Sequence, residues 1–111
     1  MKLITAVIKP FKVDEVRQAV ADIGIQGLTV TEVQGYGGYG HTETYRGARF
    51  SVDFLPRAKI ELAVDDSIAE QVMEAVCNVA RTGSTGDGKV WILELEQALR
   101  VRTGETGPDA I

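Results

Sequence analysis

The segment GSTGDGK, Gly83 to Lys89, carries the residue types that suit a bound anion: three glycines and a lysine. Glycines let successive backbone N–H groups turn inward as a nest for an anion. Lys89 adds a point charge. The spacing is nearly that of a Walker P-loop, but the next residue is Val90, where Ser or Thr would hold magnesium. The order is also reversed, because this loop leaves a helix and opens a strand. Both features argue against a P-loop NTPase. The plainer alternative is a loop that merely stops a helix, with its lysine in solvent.

A second segment, RVR from Arg100 to Arg102, would place two guanidinium groups on one side of an extended chain. Such a pair suits a polyphosphate. An exposed basic edge strand is the plainer alternative. Two anion-suited segments so close in a chain of net charge −4 point toward a nucleotide.

Other chemistry finds less support. His41 is the sole histidine and Cys77 the sole cysteine. Neither an intrachain disulfide nor a His/Cys metal cluster can be built from them. Cys77 falls beside the apolar face of a helix and reads as a small core residue. Asp53 and Glu61 have no nucleophile placed beside them, and Glu61 reads as a pairing carboxylate mid-strand. YRGARFSVDF, residues 45–54, faintly resembles an RNA-binding strand, but Ala48, Ser51 and Asp53 stand where stacking aromatics are needed. An acidic balance also argues against nucleic acid.

These residues must be positioned by a small set of elements. Leu3–Lys9 is β-branched and apolar, a strand closed by Pro10. Val13, Val16, Val20 and Ile23 recur at helical spacing, stopped by Gly24 and Gly27. Leu28–Val33 reads as a second strand. Phe50–Phe54 extends a ribbon until Pro56 breaks it. Ala58–Val64 reads as a third strand, and Asp65, Asp66 or Ser67 caps a second helix. Ile68, Val72, Val76 and Val79 mark its apolar face. Lys89–Glu96 reads as a fourth strand, Leu99–Arg102 as a short fifth, and 103–111 as a flexible C-terminal tail.

The order β-α-β, loop, β-α-β predicts an α+β fold of the ferredoxin-like βαββαβ kind. It has a four-stranded antiparallel sheet and two helices on one face. Yet the strands are apolar on both sides. Ile4, Ala6 and Ile8 oppose Leu3 and Val7, and Trp91 and Leu93 oppose Val90 and Ile92. Two helices cover one face, so a second copy of the chain is expected on the other.

At 111 residues a single domain, 1–111, is expected. No apolar run approaches the length of a membrane helix. The start MKLITAVIKP is too short an apolar run for a signal peptide, so the cytoplasm is the expected compartment. The middle of the chain resists a core-forming reading. Residues 34–54, QGYGGYGHTETYRGARFSVDF, carry four glycines within six positions and three tyrosines. Loops of this length are usually functional or disordered.

Together, KLITAVIKPFKVDEVR, GLTVTEVQGYG, GHTETYRGA, VDFLPRAKIELAV, TGSTGDGKVWILEL and RVRTGE resemble the PII signal-transduction family over essentially the whole chain. The resemblance implies a non-enzymatic regulator built as a homotrimer. It implies ATP and ADP as competing ligands between subunits, with Mg2+ accompanying ATP. Gly86, Asp87, Gly88 and Lys89 would hold phosphates and ribose. Arg100 and Arg102 would reach the phosphates from a neighbouring subunit. Gly27, Thr29, Glu61, Ala63 and Val64 would line the adenine, and Gly35 and Gly37 would meet the nucleotide at the loop. Arg57 stands where the family has a lysine for a carboxylate ligand, 2-oxoglutarate. Residues 35–54 would be the family's T-loop. It docks targets such as an ammonium transporter or nitrogen-assimilation enzymes.

The chain also departs from the family's pattern. Only Gly38 and Tyr39 stand between Gly37 and Gly40, where the family has Arg-Gln-Lys. That Gln is the family's magnesium ligand in the 2-oxoglutarate complex. Phe50 replaces the tyrosine that is uridylylated, so that modification is excluded there for want of a hydroxyl. Two readings follow: a regulator that also answers to 2-oxoglutarate, or one that senses adenylates or another small anion without it.

Overall fold

The computed structural model describes residues 1–36, 42–45, 48–51 and 54–111, with the backbone alone for 42–45 and 48–51. Among the described residues six strands and two α-helices run in the order β1 (Lys2–Ile8), α1 (Val13–Ile23), β2 (Thr29–Gly35), β3 (Thr42–Tyr45), β4 (Ala48–Ser51), β5 (Leu55–Val64), α2 (Ala69–Ala80) and β6 (Gly88–Glu94). β2, β5, β1 and β6 form one antiparallel sheet in that order, while β3 and β4 pair as a separate ribbon. The ferredoxin-like α+β expectation holds.

The core follows from strand alternation. Ile4 pairs with Leu62 on one side and Ile92 on the other, and Ala6 with Ile60 and Val90. These side chains therefore share one face. Ile4, Ala6, Ile60 and Leu62 are buried beneath Val16 and Val20 of α1 and Val72 and Val76 of α2. The opposite face is more open. Trp91 is 38% and Leu93 55% exposed, against 0% for Ile4.

Local chemistry sets the element ends. Gly24 closes α1 at φ +106°, its N–H bonded to the Val20 and Ala21 carbonyls, a left-handed cap that glycine adopts without cost from a Cβ. Of the three candidate caps before α2, Asp65 acts: its carboxylate accepts from the Ser67 N–H at 3.0 Å and hydroxyl at 2.6 Å. These bonds hold the carboxyl below its usual pKa. A 3₁₀ turn at Asp66–Ile68 then leads into the helix.

Three expectations change. Pro56 does not break a strand but lies within β5. β1 pairs with β5 only from Ala58 onward, so Pro56 has β2 as its single neighbour, and a missing N–H is tolerated on an open side. The fifth strand at Leu99–Arg102 is a single bridge, Leu99 to Thr106. The stretch 103–111 folds back through that bridge and a 3₁₀ turn at Gly107–Ala110. Cys77 is half-buried at the margin of the core. Among the described residues no helix is long and apolar enough to cross a membrane.

Candidate functional site

β1 and β6 lie side by side, and their register brings the start of β6 to the end of β1, with Gly88 opposite Ile8 and Lys89 opposite Val7. Gly88 has φ +100°, and a Cβ there would stand 1.8 Å from the Val7 carbonyl oxygen. Only glycine permits that approach. The loop before it turns through two more left-handed glycines, Gly83 at +84° and Gly86 at +90°.

Asp87 organises this loop. Its Oδ2 accepts from the Thr82 N–H at 2.7 Å and the Gly83 N–H at 2.9 Å. Its Oδ1 accepts from the Thr82 hydroxyl and lies 3.1 Å from the Lys9 ammonium. The Thr82 hydroxyl and N–H, with Lys9 and the Gly83 N–H, hold the carboxyl well below the usual carboxylate range. Lys9 also donates to Thr82 Oγ1 at 3.2 Å. Neither Lys9 nor Thr82 stands out in the sequence. The available signal was Lys9 at the end of β1, one residue past the strand whose register delivers the loop.

Arg57 reaches the same place from β5. Its Nη1 donates to the Pro56 carbonyl at 2.8 Å, and a Cβ on Gly86 would meet its Nη2 at 2.7 Å. Gly35 faces the Arg57 stem, 3.2 Å from an added Cβ. Gly35, Tyr36, Arg57, Gly86, Gly88 and Lys89 thus line one open cleft of about 610 Å³. Among the described residues neither Arg57 nor Lys89 pairs with a carboxylate. Two unpaired cations beside glycine backbone suit an anionic ligand.

The other expected residues gather elsewhere. Gly27, Thr29, Glu61, Ala63, Val64 and Arg100 line a second cleft, of about 760 Å³, which shares no residue with the first. β2 begins at one cleft with Thr29 and ends at the other with Gly35, six residues or roughly 20 Å of strand apart. Glu61 pairs loosely with Lys59 at 3.8 Å, the modest role read for it in the sequence.

The Arg100/Arg102 pair is corrected. The segment is not extended: the Gly104 N–H reaches the Arg100 carbonyl at 2.8 Å and the Arg100 N–H the Glu105 carbonyl at 2.8 Å. A turn therefore separates the two guanidinium groups. Arg100 lines the second cleft with its Nη1 3.7 Å from Glu105 Oε1, whereas Arg102 is exposed and lines neither cleft. Gly37, with the His41 side chain and that of Phe50, lies outside the described residues. Among the described residues no group of three or more His, Cys, Asp or Glu side chains could hold a metal ion.

Known proteins with this sequence pattern are numerous. The family model described as nitrogen regulatory protein P-II matches residues 1–105. Proteins named nitrogen regulatory protein P-II from Rhodospirillum rubrum and Rhizobium meliloti are each 55% identical over the full length of both chains. One of the same name from Haemophilus influenzae is 54% identical, again over both full lengths. With the ferredoxin-like fold and a match over almost its entire length, the chain belongs to the nitrogen regulatory protein P-II family.

Proposed function

We propose that this nitrogen-regulatory signalling protein binds ATP and ADP in a composite site between subunits of a homotrimer. Occupancy is passed to target proteins through residues 35–54. One observation carries the reading: the anion-suited residues other than Arg102 divide between two clefts with no residue in common. The Gly86–Lys89 cleft offers backbone and charge for phosphates. The Gly27–Val64 cleft, with Arg100, offers apolar walls and a further cation. Each is half of what a nucleotide requires, and a second copy of the chain supplies the other half. The open sheet face bearing Trp91 and Leu93 gives the copies an apolar surface to bury, at roughly 25 cal/mol per Å².

Ligand and target are then linked by population shift. A nucleotide moves the arm only as far as its affinities for the arm's conformers differ. The arm leaves the sheet where β2 ends at Gly35 and rejoins it where β5 begins at Leu55, beside the cleft that would hold the phosphates. The targets are proteins of nitrogen metabolism, an ammonium transporter or assimilation enzymes.

Lys89→Ala tests the site. It should weaken ATP binding roughly 10- to 100-fold, the scale of a lost charge-assisted bond, with the oligomer unchanged by sedimentation. Unchanged affinity refutes the reading.

A second reading is favoured by Arg57 and the short stretch at 38–39. Without a glutamine there, the chain senses adenylates or another small anion and ignores 2-oxoglutarate. Calorimetry with Mg-ATP, with and without 2-oxoglutarate, separates the two. Heat that appears only in the presence of Mg-ATP establishes 2-oxoglutarate as a co-ligand. No heat and no change in ATP affinity leaves adenylate sensing.

A further inference from the structure

A carboxylate in the middle of an anion cradle needs explaining. Asp87 stands between Gly86 and Gly88, where its charge would repel a phosphate. Asp87 borders the cleft, but both of its oxygens are engaged by donors within the protein. Oδ2 takes the Thr82 and Gly83 N–H groups, and Oδ1 takes the Thr82 hydroxyl and the Lys9 ammonium. The Thr82 hydroxyl is itself fully used: it donates to Asp87 and accepts from Lys9 at 3.2 Å and from the Ser84 N–H at 3.2 Å. The Lys9 side chain is only 17% exposed and that of Asp87 22%, against 64% for the Asp66 that faces Lys2. The pair is thus better shielded than an ordinary surface bridge, and less open to screening.

We propose that Lys9 is a positioning residue for the anion site. Its ion pair with Asp87 holds the 82–88 loop in its ligand-accepting shape, and Asp87 braces the loop instead of touching the ligand. The inference rests on the proposed nucleotide site and assigns its internal support, in place of the ribose or phosphate contact that the family resemblance implies for Asp87.

Two arguments carry it. The first is charge. Lys9 cancels Asp87, so the attraction offered by Arg57 and Lys89 is not offset by a neighbouring carboxylate. The second is order. A loop with three left-handed glycines has much conformational freedom to lose on binding. Tying Thr82, Gly83 and Asp87 to one another, and all of them to β1 through Lys9, removes that freedom before the ligand arrives. Lys9 adjoins Ile8, whose register partner is Gly88, so both ends of the loop are fixed to the same strand end.

The test uses the full chain as Lys9→Met, Lys9→Arg, Asp87→Asn and the double variant Lys9→Met/Asp87→Asn. Amide hydrogen exchange at residues 82–89 is measured without nucleotide, and ATP and ADP binding by calorimetry. Lys9→Met should speed exchange at Thr82 and Gly83 and weaken ATP and ADP by the same factor, roughly tenfold. Lys9→Arg should restore both. The double variant should bind no worse than the poorer single one, because the two residues act as one unit. Unchanged exchange overturns the proposal. So does a loss larger for ATP than for ADP, which would make Lys9 a phosphate contact. If the unaltered protein binds neither nucleotide, the composite-site reading falls, and exchange in Lys9→Met alone decides whether Lys9 holds the loop.

Discussion

The 82–89 loop and the 98–107 turn are both short, carry cationic side chains and turn through left-handed glycines, but they are built differently. The first is braced by a carboxylate that collects four donors and is locked against β1 at Gly88. The second is held chiefly by backbone bonds, Arg100 to Glu105, Gly104 to Arg100 and Gly107 to Ala98, with local side-chain contacts of Glu105 to Thr103 and Arg100. It carries Val101 at 95% and Leu99 at 60% exposed. The first loop is finished within one chain. The second presents charge and apolar surface outward. In the composite site proposed above, one half would be preformed and the other delivered.

Glycine substitutions are the harshest way to break this comparison. Gly88→Ala sets a Cβ 1.8 Å from the Val7 oxygen at a left-handed φ. It should cost roughly 3–4 kcal/mol or prevent folding, since sheet backbone must move as well as the dihedral. Gly104→Ala, at φ +74° with nothing within 4 Å of the added carbon, should cost only about 1 kcal/mol, the dihedral penalty alone. Urea unfolding of the two variants measures both, and similar costs would refute the idea that only the first loop is locked.

Arg100→Ala gives an intermediate effect, expressed in binding. It should weaken ATP roughly tenfold and leave stability within about 0.5 kcal/mol, because its pairing with Glu105 is a partly exposed surface bridge. Calorimetry beside thermal unfolding checks both halves. A stability loss larger than the binding loss would make Arg100 a structural residue of the turn.

The smallest effect is in the pH dependence. Asp87 is held below its ordinary pKa of 3.8, so unfolding takes up a proton at low pH. The stability contributed by the brace is complete above about 3.8 and fades only as pH falls through the depressed folded value. The stability difference between the unaltered protein and Asp87→Asn should therefore be constant from pH 7 to about 5. It should persist at pH 4 and shrink only in stronger acid. A difference that vanishes between pH 7 and 5 would show that the carboxyl is not held below its ordinary value, and one that survives undiminished in strong acid would show that the brace does not depend on the carboxylate charge.

Much of the fold is legible in the sequence because periodicity is local. The spacing of Val13, Val16, Val20 and Ile23 is enough to define α1, and the alternation of Ile4, Ala6 and Ile8 identifies the buried face. The failures share a cause. Pro56 reads as a breaker because whether a missing N–H matters depends on which neighbour a strand has at that point. Arg100 and Arg102 read as a pair because an extended chain alternates, but the Gly104 and Glu105 bonds that turn it depend on the fold-back to Ala98. The Asp87 brace is also hidden in the sequence, because its partner Lys9 follows β1, near the opposite end of the chain. Arg57 over Gly86 comes from β5, outside the loop entirely.

The sequence by itself determined the element order, the two-sided apolar strands, the anion-suited glycine loop and the family, because these depend on residue type and short-range spacing. Tertiary structure alone decided which cation neutralises Asp87, that Gly88 must be glycine, and that most of the described candidate residues divide between two clefts while Arg102 lines neither. Those facts depend on strand register. An antiparallel pairing brings residues distant in sequence to within hydrogen-bond reach, and a shift of one position would send every side chain to the other face.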